Sequence, residues 1–291
     1  ESVLPYSYAG TMGILQRHAG HPFFHRMGAS RLERSICTPA KSAGFAAVLG
    51  TTPAPDPDAV LGADLVVLWG LNALATNLHG FQRVREARRR GARLWVVETY
   101  RTATADQADR VVLIRPGTDG ILAAGLMHLL AAQGRLDQGF LARHVQGFEA
   151  LAREVLPAYP PAVVAARTGV AEDLLREFAQ AYGAAANPQL QLGGGPTRYG
   201  NGAMTVRLLL CLPALVGAYL KPAGGAFLGT STGGAFALQR ITREDLQPRP
   251  TRSINMNRLG AALDPALDPP VKSLYVYASN PAAVAPDQNA V

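Results

Sequence analysis

The chain has 291 residues, 48% hydrophobic and 17% charged, the composition of a globular protein near the length at which chains divide into two domains. Its two cysteines exclude a disulfide framework and cannot supply the four thiolates of an ordinary iron–sulfur cluster. The net charge of +7 would suit a nucleic acid, but Lys and Arg are scattered apart from Arg88-Arg89-Arg90, which reads as a solvated helix face, and a large anionic cofactor suits the same charge.

Glu1 to Pro5 has neither the basic start nor the apolar core of a signal peptide, so a cytoplasmic location is expected. Gly10-Thr11-Met12-Gly13 is a glycine turn opening a helix, whose free backbone N–H groups suit a phosphate. His18, His21 and His25 follow at spacings that could share a helix face. Pro22 interrupts them and no acid or thiol is adjacent, so they read as a polar helix end lining a cleft rather than a metal site. Ser35 to Gly44 holds Cys37 before proline and small residues. Such a segment can set a thiolate at the mouth of a loop, with a helix N-terminus behind it that lowers the thiol pKa and favours metal binding. Taken alone, a lone cysteine of this kind reads as a small buried hydrophobe.

Gly44 to Leu49 reads as a short helix and Pro53 to Pro57 as a loop. Ala63 to Gly70 is an uninterrupted apolar strand of the parallel-sheet type, ending in glycine. Leu71 to His79 reads as a loop and Gly80 to Arg90 as a helix with Phe81, Val84 and Ala87 inward, stopped by Gly91. A second strand, Arg93 to Val97, ends at Glu98. Strand, glycine, helix, strand, acid is the order of a nucleotide-binding βαβ unit. Gly70 would let the backbone approach a ligand; Glu98 could hydrogen-bond ribose hydroxyls, or merely cap the next loop. No G-x-G-x-x-G is present, so a plain NAD site fits poorly.

The pattern then repeats. Thr99 to Ala105 is a polar loop, Asp106 to Asp109 a turn, and Val111 to Arg115 a third strand. Pro116-Gly117-Thr118-Asp119 follows, then an apolar-faced helix from Gly120 to Ala132. Asp119 reads both as a helix cap and as an acid able to grip a guanine or ribose edge. Phe148 to Leu156 and Ala171 to Ala181 read as helices around the turn Tyr159-Pro160-Pro161. The strand Gln189 to Leu192 runs into the glycine-rich turn Gly193 to Gly202, where backbone amides are exposed and Arg198 adds a cation. Met204 to Tyr219 reads as a helix. Its apolar run is interrupted by Pro213 and too short to span a bilayer, so no direct membrane insertion is expected. Residues 229–270 read as a long surface excursion. Ser273 to Ala278 reads as a strand leading to Ser279-Asn280-Pro281, an echo of Trp69-Gly70-Leu71-Asn72 that points to two related nucleotide sites. The abrupt start and stop suggest a piece of something longer.

In this order the residues resemble the molybdopterin oxidoreductases of the dimethyl sulfoxide reductase family. Trp69-Gly70-Leu71-Asn72 is similar to that family's W-G-x-N, Glu98 to Ala105 to its D-P-Y-R-T-x-T-A, and Pro116 to Asp119 to its P-G-T-D. Gly195 to Tyr199 with Gly202 resembles G-(I/V)-(S/T)-Q-H-x-x-G, and Leu220 to Gly225 resembles (I/L)-G-K-P-G-G. Glu98 stands for an Asp, Thr99 for a Pro and Arg198 for a Gln. The resemblance implies an α/β fold of two interleaved three-layer α/β/α lobes with mainly parallel sheets. Residues 1–36 with 228–291 would form the first lobe and 37–227 a Rossmann-like second, each with one guanine nucleotide site. It implies bis(molybdopterin guanine dinucleotide) holding Mo or W. Asn72, Glu98, Arg101, Thr102, Gly117 and Asp119 would bind one nucleotide, with Gly70 at the strand tip. Gly195, Thr197 and Arg198 would line pterin or pyrophosphate, Gly10 and Thr11 would meet a phosphate, and Ser279-Asn280 would serve the second nucleotide. Cys37 falls at the protein ligand to the metal.

The implied activity is a two-electron oxygen-atom or hydride transfer on a small-molecule substrate, with electrons passed to an iron–sulfur subunit or domain lying outside this chain. No nucleic-acid partner is expected. A non-catalytic scaffold of a redox complex that kept the fold and lost the metal is the second reading; an ordinary nucleotide-binding enzyme with a doubly wound sheet is the third.

Overall fold

The computed structural model describes residues 1–53, 56–228 and 236–291. Among these the strands are, in chain order, β1 (Val3–Ser7), β2 (Arg31–Glu33), β3 (Leu65–Trp69), β4 (Arg93–Glu98), β5 (Arg110–Leu113), β6 (Pro188–Leu192), β7 (Gly225–Phe227), β8 (Ser253–Asn255) and β9 (Ser273–Tyr277). The chain divides into two compact units, Glu1–Cys37 with Ser231–Val291, and Thr38–Thr230.

The larger unit is built on one parallel sheet in the order β5-β4-β3-β6-β7. β3 is buried at every position, as a strand covered on both faces must be. Val66, Leu68, Leu94 and Val96 meet Phe81 and Val84 of the helix Leu78–Arg89 and Val60 of the 3-10 turn Pro57–Gly62. Leu65, Val67, Trp69, Trp95 and Val97 face the other way, into a core shared with the helices Asp119–Ala132, Glu172–Ala184 and Gly202–Leu215. The result is three layers. Asp119–Ala132 is apolar on nearly every side because it packs against the helices Pro161–Thr168, Glu172–Ala184 and Gly202–Leu215 within the core it shares with the sheet. Phe178 stacks on Trp95 with centroids 4.7 Å apart, a contact worth about 1 kcal/mol beyond burial.

The chain runs outward from β3 to β4 and β5, then returns to β6 on the opposite side of β3. The strand order therefore reverses between β3 and β6, and in such sheets ligands bind at the carboxyl ends flanking that reversal.

Several local expectations are revised. The helix after Cys37 starts at Pro39 rather than Gly44, because Pro at the first helical position needs no N–H partner. The segment Leu71 to His79 holds a short helix, Ala73–Thr76, and the start of the next at Leu78. Phe148 to Leu156 is one α-turn, then a π-turn Leu151–Val155, then a 3-10 turn at Pro157, whose missing N–H ends regular helix. A helix at Pro161–Thr168 follows the double proline, and Gly225–Phe227 adds an edge strand. Residues 54–55 of the Pro53–Pro57 loop and residues 229–235 lie outside the described residues. Arg88 pairs with Asp109 at 2.6 Å, and Arg89 and Arg90 share Glu86, all on an exposed face.

The smaller unit carries two parallel pairs, β1 with β9 and β2 with β8. Its core joins Leu4 and Tyr6 to Ile254, Met256, Leu259 and Ala262. Residues 236–270 are thus not simply a surface excursion. A three-residue strand among polar and turn-forming residues turns Ile254 inward, and the following turns bury Met256 and Leu259.

Candidate functional site

Two glycine loops meet at the strand reversal of the larger unit. Gly70, one residue past β3, has φ +60, and Gly193, one past β6, donates its N–H to Trp69 O at 2.8 Å. A Cβ at Gly193 would lie 1.7 Å from Gly70 O, and one at Gly70 would lie 2.5 Å from Pro196 Cδ. Only glycines permit this approach, and both of their N–H groups are spent on backbone carbonyls, Gly70 on Val97 O and Gly193 on Trp69 O. Gly195 and Thr197 form the 3-10 turn that follows, with Thr197 Oγ1 donating to Gly194 O. Gly117 has φ +79 and lies against the Tyr199 ring.

Around this crevice stand the predicted polar residues. Asn72 precedes the helix Ala73–Thr76, and its Oδ1 accepts from Thr104 Oγ1 at 2.7 Å, which in turn accepts from Leu74 N–H. Thr102 is buried and accepts from Ala105 N–H. Glu98 is half-buried at the tip of β4; burial raises its pKa, the Thr99 N–H lowers it, and the Asp119 charge raises it further. Asp119 is 5% exposed, and its carboxylate accepts from Trp69 Nε1 at 2.8 Å. Burial raises its pKa, opposed by the indole and its own N–H. The residue before it, Thr118, stands at the N-cap of that helix and makes no side-chain cap bond. Two acids with weakened ionisation therefore sit together beside a glycine cradle. Arg101 turns outward to Asp106 at 2.6 Å and is exposed.

In the smaller unit, Gly10 N–H donates to Ala278 O at 2.8 Å, which draws the turn holding Gly10 and Thr11 against the segment of Ser279 and Asn280. Ser279 Oγ is buried with no hydrogen-bond partner. The segment repeats the geometry of β3's exit. Ala278 follows β9 at φ +49 as Gly70 follows β3 at φ +60. Asn72 and Asn280 then begin four-residue helices, Ala73–Thr76 and Pro281–Val284, and each Asn carbonyl accepts two helix N–H bonds at 3.1 Å. An alanine held in the left-handed region at a cost of about 1–2 kcal/mol marks a turn whose shape is required.

Cys37 is half-buried, and its N–H donates to Tyr8 Oη at 2.7 Å. The Tyr8 pKa is pushed up to about 12, first by burial and then by its hydrogen bond to the Cys37 side chain. Cys211, by contrast, sits in a helix and donates to Arg207 O, with burial raising its pKa. His18 and His21 belong to different helices, with ring centroids 5.0 Å apart; His21 and His25 are 5.7 Å apart. Among the described residues no three His, Cys, Asp or Glu side chains converge as a metal site. Sequence reasoning missed Tyr8, Thr104, Trp69 as a donor and Gly193 as the close-approach glycine. Only Gly193 carried a signal, its position directly after a strand.

A parallel sheet whose strand order reverses, with glycine loops and acids at the reversal, defines a doubly wound α/β protein. The family model described as molybdopterin oxidoreductase matches residues 39–291, and the chain belongs to that family. It is 39% identical over its whole length to "Probable oxidoreductase YoaE" of Bacillus subtilis, covering 43% of that protein. It is 30% identical over 162 residues to formate dehydrogenase H of Escherichia coli, covering 56% of this chain and 22% of that one. Acetylene hydratase from Pelobacter acetylenicus shares the fold over 97% of this chain and 44% of its own, with a TM-score of 0.77 and 18% identity. The chain thus spans less than half the length of these relatives. No helix among the described residues is long and apolar enough to cross a membrane.

Proposed function

We propose that the chain is the central part of a molybdenum- or tungsten-dependent oxidoreductase that holds bis(molybdopterin guanine dinucleotide), one nucleotide per unit. The observation that supports this most is the repeated exit turn, Gly70 to Thr76 and Ala278 to Val284, one in each unit. The residues fit such a group. Gly70 and Gly193 let the loops after β3 and β6 close on each other as no residue with a Cβ could, and Ser279 Oγ is a buried polar atom without a partner. In the larger unit Asn72, Glu98, Thr102, Gly117 and Asp119 would hold a guanine nucleotide, the acids accepting from its N–H groups, with Arg101 at the rim. Gly195, Thr197 and Arg198 would meet pterin or pyrophosphate. Gly10, Thr11, Ser279 and Asn280 would serve the second nucleotide.

When bound, the cofactor supplies a two-electron change coupled to oxygen-atom or hydride transfer. Cys37 would complete the metal's coordination through a soft thiolate. The hydrogen bond from Cys37 N–H to Tyr8 holds that backbone in place before any metal arrives. Electrons would leave to an iron–sulfur domain or subunit, in a protein we place in the cytoplasm. Relatives are named for formate and nitrate, consistent with small-molecule redox chemistry.

The test is metal analysis of the purified full-length protein, with guanine nucleotide measured after denaturation. Mo or W with two guanine nucleotides per metal is expected, and Cys37→Ala should abolish turnover. Nucleotide without metal would favour the scaffold reading; absence of both would refute cofactor binding.

A further inference from the structure

Tyr8 stands one residue past β1, and its ring packs on the core of the smaller unit, as do Leu32 and Ile36. Its backbone is tied on both sides. Ser7 is in register with Tyr277 of β9, and Gly10 N–H donates to Ala278 O. The segment before Cys37 is tied as well. Ser35 Oγ donates to Asn255 Oδ1 at 2.6 Å and accepts from Asn257 Nδ2 at 3.1 Å. One small core therefore holds both the phenol and the Cys37 segment, and brings them together.

Among the described residues, both hydrogen bonds of Tyr8 Oη are to Cys37. One comes from its N–H at 2.7 Å and the other is with its side chain. A hydroxyl has one proton and two lone pairs. The Cys37 N–H can only donate, so it takes a lone pair and leaves the phenol proton for the sulfur. A thiolate has no proton of its own, so toward that form Tyr8 is the donor. A phenol keeps its proton at neutral pH, with an ordinary pKa of about 10. Arg17 lies close enough for its positive charge to act on Tyr8, which makes the phenol a stronger donor. A phenylalanine would pack on the same core, so packing gives no reason for the oxygen. The other cysteine is held differently, with Cys211 Sγ donating to Arg207 O.

Partners of this kind fix the orientation of a metal ligand. A hydrogen bond to a ligating sulfur also draws electron density away from it and raises the metal's reduction potential.

We propose that Tyr8 is a positioning residue for Cys37, holding its backbone through the N–H and donating the phenol proton to its sulfur, so that a metal bound there is easier to reduce. This rests on the function proposed above, in which Cys37 is the metal's protein ligand.

The experiment compares the purified full-length protein with its Tyr8→Phe variant. Metal and guanine nucleotide are measured on each sample. A dithionite titration followed by electron paramagnetic resonance gives the one-electron midpoint of the bound metal. Hydrogen–deuterium exchange with mass spectrometry follows the Cys37 amide. Tyr8→Phe should load metal and nucleotide as the wild type does. Its Cys37 amide should exchange about tenfold faster, the loss of one hydrogen bond. Its midpoint should fall by about 59 mV, a tenfold change in a one-electron equilibrium. Replacing Tyr8 by 3-fluorotyrosine keeps the ring and the hydroxyl with a more acidic proton, and should move the midpoint upward; it serves as the test should Tyr8→Phe not fold or not load metal. An unchanged midpoint in metal-loaded Tyr8→Phe overturns the proposal and leaves the cofactor reading standing. An unmoved midpoint with 3-fluorotyrosine does the same, because Tyr8 is then only structural. A wild type with neither metal nor nucleotide overturns the cofactor reading and this proposal with it, so the metal analysis tells the two failures apart.

Discussion

Replacing Asp119 by Asn and by Ala separates what one buried carboxylate does for the fold from what it does for a ligand. Trp69 is fully buried, and its indole N–H has Asp119 as partner at 2.8 Å. Asn keeps an oxygen there; Ala leaves the N–H without an acceptor. An unsatisfied buried donor costs about 1–3 kcal/mol, so the Ala variant should be about 2 kcal/mol less stable than the Asn variant. For a domain of this size that is roughly 4–8 °C in Tm. The charge acts separately. The folded pKa of Asp119 is raised by burial. The group's favourable contribution is therefore fully present below the unfolded carboxylate range, near 3.9, and lost as pH rises through the folded value. Asn cannot ionise, so Asp119→Asn should match the wild type at acid pH and equal or exceed its stability at pH 7. Urea unfolding across pH 4 to 7 measures both differences. A loss of stability in Asp119→Asn that grows as pH rises would refute the reasoning, since it would mean that the fold favours the charged form. Nucleotide content should fall in Asp119→Asn even though the fold holds.

Gly193→Ala should leave little folded protein, costing about 4 kcal/mol or more, because its Cβ would lie 1.7 Å from a backbone oxygen. Gly200→Ala in the same loop meets nothing within 4 Å and should express as the wild type does; soluble yield and circular dichroism compare them. His21, with its pKa lowered to about 4 by burial and then by Arg34, should contribute stability that is present above pH 6.5 and lost as pH falls toward 4. His21→Gln should flatten the stability profile across that window, and an unchanged slope would place the proton uptake elsewhere. Met256→Ala should cost about 2–5 kcal/mol in the smaller unit, visible in its denaturation midpoint; a change under 0.5 kcal/mol would return residues 236–270 to the surface.

What the sequence by itself determined is local. β3 and β4 declared themselves because a strand buried on both faces must be apolar throughout, and Phe81, Val84 and Ala87 because one helix face repeats. The exit turns were legible as a strand, a small residue and Asn. That Ala278 adopts glycine's backbone was not, because residue type alone argues against it. β8 was hidden because three residues amid polar turns carry no periodicity. The pairing of Trp69 with Asp119 spans 50 residues, and that of Cys37 with Tyr8 spans 29. Such partners are chosen by how sheets and helices stack, and no local pattern encodes them. The tertiary structure alone decided that Gly193 must approach Gly70, and that Asp119 must meet the Trp69 indole. Both follow from which strands lie side by side, a property of the whole fold and not of any one segment.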